Sequence, residues 1–171
     1  MTDEPHSARE AIDLLRGRGL TIAVAESLTG GLLLAELVAV PGASDVLRGG
    51  VVAYATELKA RLLGVDAALL EANGPVDPDV AVQMARGARL RLGPGGLPAS
   101  IGLSTTGVAG PGPQDGHPAG TVFVGISVGD RAYPTEFAFP GDRAEVRAQT
   151  VTAAIGILVA GIGVDDGLIV P

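Results

Sequence analysis

The 171-residue chain contains no cysteine and no tryptophan, and only 3% of its residues are aromatic. Without cysteine there are no disulfides, no thiol nucleophile and no thiolate metal site. Histidine is limited to His6 and His117. One lies near a chain end and the other in a Gly/Pro-rich stretch, a poor basis for a histidine metal site or a Ser-His-Asp triad. Neither metal nor cofactor is expected. Basic charge is scarce as well: the formal net charge is -7 and Lys and Arg form no run. That disfavours nucleic acid and anionic membrane, which are bound through clustered cations. No apolar stretch reaches the ~20 uncharged residues that would span a bilayer. The Thr2-Asp3-Glu4-Pro5 start lacks the basic-then-apolar pattern of a signal peptide. Together these absences predict a soluble, cytoplasmic protein with no nucleic-acid or membrane partner.

What the chain does have is aliphatic. Hydrophobic residues make up 47% of it, enough for a substantial core at this length without cross-links. The charged residues hold one oddity. Of twelve Lys and Arg residues, Lys59 alone is lysine. Arginine stays protonated in proteins, whereas a desolvated lysine can act as a base. On composition alone the commoner reading of Lys59 is a surface residue left over from a preference for arginine.

The hydrophobic pattern alternates helices and strands. Ser7 and Glu10 form a capping-box pair for a helix over 7–18. A short buried strand follows over 20–25, then a helix over 29–40 stopped by Pro41-Gly42. A second strand, 50–54, leads to a helix that Thr56 caps and that carries Lys59. Asp77-Pro78 starts a helix reaching 91, with an N-cap followed by proline at the first helical position. A third strand covers 99–106. Two more, 120–128 and 131–139, flank a Gly129-Asp130 hairpin turn. Asp142 and Glu145 cap a last helix over 142–159. No repeat or long linker divides the chain. This order predicts one α/β domain over 1–171, a three-layer α/β/α sandwich with a mixed sheet. Its core covers about 7–159. Residues 160–171 form a tail that either frays or docks Leu168-Ile169-Val170 on a neighbour.

Four constellations carry chemistry. Ser27 sits between a strand and a helix start, where free main-chain amides near Thr29, Gly30 and Gly31 would stabilise an oxyanion. A serine in this place is more often a cap. Tyr54 ends a strand and Lys59 lies one turn into the next helix, so both can face the crevice at strand ends where ligands bind in open α/β sheets. The plain alternative is a solvated lysine beside Arg61. Thr105-Thr106-Gly107-Val108-Ala109-Gly110-Pro111 is a glycine-rich turn after a strand, suited to close approach by a ligand, yet it matches neither G-x-G-x-x-G nor a P-loop. Arg143, beside a helix N-terminus, suits a phosphate or carboxylate, or is simply exposed.

These segments in this order resemble a known family. They are Ala25-Glu26-Ser27-Leu28-Thr29-Gly30-Gly31, Gly49-Gly50-Val51-Val52-Ala53-Tyr54 through Lys59, Thr106-Gly107-Val108-Ala109-Gly110-Pro111, Pro118-Ala119-Gly120-Thr121-Val122 and Gly141-Asp142-Arg143. Over about 7–159 the chain is similar to the C-terminal domain of the competence/damage-inducible protein CinA, whose standalone relatives are nicotinamide-nucleotide amidohydrolases. The resemblance implies hydrolysis of nicotinamide mononucleotide to the acid and ammonia. It implies Ser27 as nucleophile, Tyr54 and Lys59 as its partners, no metal, and a homo-oligomer. Thr29, Gly30, Gly31, Thr106, Gly107, Ala109, Gly110 and Arg143 are the candidate substrate-binding residues, the Thr106–Gly110 loop and Arg143 for the phosphate. Leu28 stands where relatives often have Cys, and Gly74-Pro75-Val76-Asp77 replaces the more usual Gly-Ala-Val-Ser. The pyrophosphatase activity that longer members owe to a preceding domain is not expected of these residues. The alternative from another class is a nucleotide- or partner-binding module without turnover.

Overall fold

The described residues form five strands and six α-helices. In order they are α1 (Ala8–Arg18), β1 (Ile22–Glu26), α2 (Leu32–Val38), β2 (Leu47–Val52), α3 (Thr56–Leu63), α4 (Ala67–Asn73), α5 (Pro78–Arg91), β3 (Ile101–Gly107), β4 (Thr121–Val128), β5 (Arg131–Ala138) and α6 (Arg143–Gly163). The structure, a computed structural model, describes residues 6–163. The Leu168-Ile169-Val170 segment lies outside the described residues. The strands form one sheet in the order β2-β1-β3-β4-β5. β1 is parallel to β2 and β3, while β3-β4 and β4-β5 are antiparallel. α1, α2 and α6 pack together on one face, and α3, α4 and α5 cover the other. The fold is the expected α/β sandwich with a mixed sheet.

Strand alternation sorts the core into its two layers. In β1, Ile22 and Val24 join α1, α2 and α6, whereas Ala23 and Ala25 face Met84 and Val80 of α5 and Leu63 of α3. The second layer is thin because its sheet positions are small. A side chain on Gly102 of β3 would overlap the Ala85 carbonyl, and one on Gly125 of β4 would overlap that of Ala81. α5 therefore lies with its backbone almost on the sheet, and Ser104 donates to the Ala81 carbonyl at 2.6 Å.

Local signals explain most element ends. Ser7 accepts from the Glu10 amide at 3.2 Å, but the Glu10 carboxylate turns to His6 rather than back to Ser7. Asp77 accepts from Asp79 and Val80 at the start of α5. Asp142 and Glu145 form the full reciprocal box on α6.

Several boundaries differ from the sequence reading. The helix expected over 29–40 is confined to Leu32–Val38. β2 begins at Leu47, taking in Gly49 and Gly50. The N-cap position of α3 is Ala55, whose side chain cannot cap, and Thr56 is the first helical residue. α4 went unanticipated. α6 runs four residues past 159, because Ile162 is fully buried and its carbonyl accepts from Arg18. By length and composition α6 could cross a membrane. Here it buries Val146, Ala154, Ile155, Leu158, Val159 and Ile162 against the first layer of the core.

Candidate active site

The topology brings four chain segments to one edge of the sheet. β1, β2 and β3 are parallel, and two antiparallel steps give β5 the same direction. Ser27 follows β1, Ala53 and Tyr54 follow β2, Thr106 and Gly107 end β3, and Arg143 opens α6 after β5. Carboxyl ends of parallel strands are where such sheets bind ligands. A cleft of about 330 Å³ lies there, lined by Ser27, Tyr54, Lys59, Thr106, Gly110 and Arg143 among others. That volume is at the small end of the range of about 300–1,000 Å³ for small-molecule sites.

Ser27 continues β1 by one residue, its amide donating to the Thr105 carbonyl at 2.9 Å. Alternation turns its side chain to the α3 layer, where Lys59 waits one turn into the helix. Lys59 is fully buried. Its Nζ donates to Ser27 Oγ at 3.1 Å, to the Ala53 carbonyl at 2.8 Å and to the Tyr54 carbonyl at 3.5 Å. All three partners are neutral. Burial without an anion disfavours the ammonium and lowers the amine from the ordinary 10.5 to about 8.

Tyr54 sits at the mouth of the cleft, 59% exposed. Its hydroxyl accepts from Arg143 at 3.1 Å, and the other arm of that guanidinium donates to the Gly110 carbonyl at 3.1 Å. The Tyr54 atom within hydrogen-bond reach of Lys59 is its main-chain oxygen. A proton relay through the Tyr54 phenol therefore has no hydrogen bond to follow. Among the described residues Arg143 has no carboxylate partner. Thr106 Oγ1 donates to the Pro75 carbonyl at 2.6 Å, tying the end of β3 to the 74–77 loop. Gly107, Ala109 and Gly110 complete the wall expected of that glycine-rich turn.

Thr29, Gly30 and Gly31 are placed differently from the expectation. None of them lines the cleft. The Gly30 amide donates back to the Ser27 carbonyl, and the Gly31 amide to the Glu26 carboxylate. Thr29 Oγ1 is buried against Thr105 Oγ1 at 2.7 Å. Of the amides assigned to an oxyanion, those of Gly30 and Gly31 are thus already engaged. The residue after the nucleophile candidate, Leu28, does line the cleft, and its N–H has no partner among the described residues. Sequence reasoning also missed Glu26 and Arg147. Glu26 lies beside Ser27 in the motif, but its reach to amides five to eight residues on matches no capping box. Arg147 looks like any polar residue of a half-buried helix.

No acidic side chain is among the residues lining the cleft, although the chain carries 19 Asp and Glu. Among the described residues no group of His, Asp and Glu is arranged to hold a metal ion. What the arrangement supplies is a serine hydroxyl, an amine that can be neutral near pH 8, a free amide beside the serine and an uncompensated guanidinium at the rim.

A family model described as the CinA C-terminal domain matches residues 5–161. A CinA-like protein of Frankia casuarinae is 48% identical over 147 residues, covering 86% of this chain and 33% of that protein. A putative competence-damage inducible protein of Desulforamulus reducens is 48% identical over 142 residues, covering 83% of this chain and 33% of that one. The chain spans about a third of the length of these curated relatives. A CinA superfamily structure from Klebsiella pneumoniae superposes with a TM-score of 0.85 at 31% identity, covering 91% of this chain and 95% of that one. A competence/damage-inducible protein from Agrobacterium tumefaciens does so at 0.84 and 32%, covering 92% and 93%. The chain belongs to the CinA C-terminal domain family.

Proposed function

We propose that this domain is a serine amidohydrolase that converts the carboxamide of nicotinamide mononucleotide to the acid and ammonia. One observation carries the reading: the buried Lys59 amine, without an anionic partner, 3.1 Å from Ser27 Oγ. As an ammonium, Lys59 spends its protons on the Ala53 and Tyr54 carbonyls and on Ser27. As a neutral amine it keeps both carbonyls, and its lone pair is left facing the Ser27 hydroxyl. The two carbonyls thus orient the base as well as hold it.

The reaction follows from that geometry. Ser27 Oγ bonds to the carboxamide carbon as its proton passes to Lys59, and the carbonyl pair moves onto oxygen. The Leu28 N–H receives this oxyanion. The tetrahedral centre collapses and the C–N bond breaks. Nitrogen takes the proton from Lys59 and leaves as ammonia. Water then gives a proton to Lys59 and attacks the ester on Ser27. Collapse breaks the C–O bond, Ser27 recovers its proton, and the acid is released.

The rim supports an anionic substrate. Arg143 is held by two neutral groups, which position the guanidinium without neutralising it. It is the group proposed for the phosphate, with the Thr106–Gly110 wall beneath it. Family likeness also supports self-association, which sedimentation velocity reads directly.

The test is ammonia release from nicotinamide mononucleotide by the wild-type protein and by Ser27→Ala, both checked for folding by circular dichroism. Release by the wild type alone is expected. Silence from both would favour a binding module without turnover. Equal release would reduce Ser27 to a cap and sink the mechanism.

A further inference from the structure

The turn after Ser27 is gripped from two sides by charged side chains that do not line the cleft. On one side the buried Glu26 carboxylate accepts from the amides of Gly31 at 2.9 Å, Leu33 at 3.2 Å and Leu34 at 2.8 Å. On the other, Arg147 reaches across from α6. Its Nε donates to the Leu28 carbonyl and one terminal nitrogen to the Thr29 carbonyl, both at 2.9 Å. Within the turn, Gly30 and Gly31 take φ of 60° and 101°, and the Gly30 amide closes on the Ser27 carbonyl. Peptides are planar and trans, so the Leu28 N–H points opposite to that Ser27 carbonyl, out of the turn. Two successive carbonyls held by one planar fork fix the tilt of the Leu28–Thr29 and Thr29–Gly30 peptides, and through the Gly30 N–H on the Ser27 carbonyl they restrain the Ser27–Leu28 peptide that carries the Leu28 N–H.

An ordinary surface turn needs no such restraint. We propose that Arg147 is a positioning residue for the reaction: by clamping the Leu28 and Thr29 carbonyls against α6 it keeps the Leu28 N–H aimed at the oxyanion. The inference rests on the amidohydrolase reading of Ser27. Arg147 touches neither substrate nor reacting atoms. Its guanidinium also brings positive charge to the outer side of the turn, which favours negative charge developing on the inner side. A lysine there keeps the charge but cannot span two carbonyls in fixed geometry.

Arg147→Lys and Arg147→Gln test this in the intact chain. Three quantities are read: kcat and KM for ammonia release from nicotinamide mononucleotide, the rate at which a fluorophosphonate probe labels Ser27, and the melting temperature. Labelling needs the same activated serine and oxyanion donor whatever the natural amide, with Ser27→Ala as blank. Removing an oxyanion donor outright costs about 10²–10³ in kcat, and misaiming one should cost about 10–100. The expected result is that loss in kcat for Arg147→Lys, a parallel fall in labelling rate, and KM unchanged within about threefold. Wild-type kcat and labelling rate in both variants would overturn the inference and leave the amidohydrolase reading standing, whatever the melting temperatures. A higher KM at unchanged kcat would overturn it too, since Arg147 would then serve substrate binding. A wild type that neither releases ammonia nor takes up the probe would remove both readings.

Discussion

Among the described residues Glu26 and Lys59 are the two charged side chains buried from solvent, and both are close to Ser27. The protein treats them in opposite ways. Glu26 precedes Ser27 and points into the layer of α1, α2 and α6, where three amides converge on its carboxylate. Lys59 meets Ser27 from the other layer, where it finds only two carbonyls and a hydroxyl. Burying a charge is costly unless its hydrogen-bonding and electrostatic needs are met. On the α2 side they are met, and the charge serves as structure. On the α3 side they are half met, and the amine is left close to losing its proton. One sheet edge thus separates a region built to hold a charge from a region built to let one go.

The largest effect should come from the α3 side. Lys59→Met removes the proposed base at nearly constant length, and ammonia release should fall by about 10²–10⁴. Stability should change little, since relief of the buried charge offsets the lost bond to the Ala53 carbonyl. A variant that melts early while retaining turnover would reverse the comparison. On the α2 side the expectation is the mirror image. Glu26→Gln turns one acceptor into a donor facing amide hydrogens, and should cost about 1–3 kcal/mol of stability. Denaturant unfolding measures it, and a change within about 0.5 kcal/mol would mean that α2 does not depend on this carboxylate.

The pH response sharpens the contrast further. With the Lys59 amine at about 8, roughly a tenth is neutral at pH 7. kcat/KM should rise about tenfold from pH 7 to 9 and then level off. A flat profile would remove Lys59 as base. The same shift has a stability sign. The folded amine binds its proton less tightly than the unfolded one, so the penalty is fully present below pH 8. It is relieved as pH rises from about 8 to 10.5. Over that span the wild type should gain up to about 3 kcal/mol relative to Lys59→Met. The smallest expected effect is that of Tyr54→Phe. It removes a hydroxyl that holds Arg143 and does not reach Ser27, so KM should rise by a few fold with kcat within about threefold.

Much of this was legible in the sequence, for identifiable reasons. Asp77-Pro78, Asp142 with Glu145, and Gly129-Asp130 are local signals that need nothing from the rest of the fold. The alternation of elements gave the layers. Lys59 drew attention because the chain uses arginine everywhere else, and the structure sets it against Ser27. The misplacements share a cause: contacts that no simple periodicity or capping pattern describes took over. The helix after Ser27 was expected from Thr29, but the Glu26 carboxylate and the tight glycine turn delay it to Leu32. Gly30 and Gly31 were expected to present amides to a ligand, and those amides are held inside the turn instead. α6 outlasts the expected end at 159 because Ile162 finds a place in the core. Arg147 is invisible to pattern because its two partners lie 118 and 119 residues away.

The single lysine also makes the site unusually open to spectroscopy. A protein grown on isotopically labelled lysine would carry one labelled side chain, and it would be the one beside Ser27. Its ε-carbon shift follows protonation directly, free of overlap and of the need for assignment. The candidate site therefore contains its own pH electrode, which can be read while nicotinamide mononucleotide or a serine-reactive inhibitor is added.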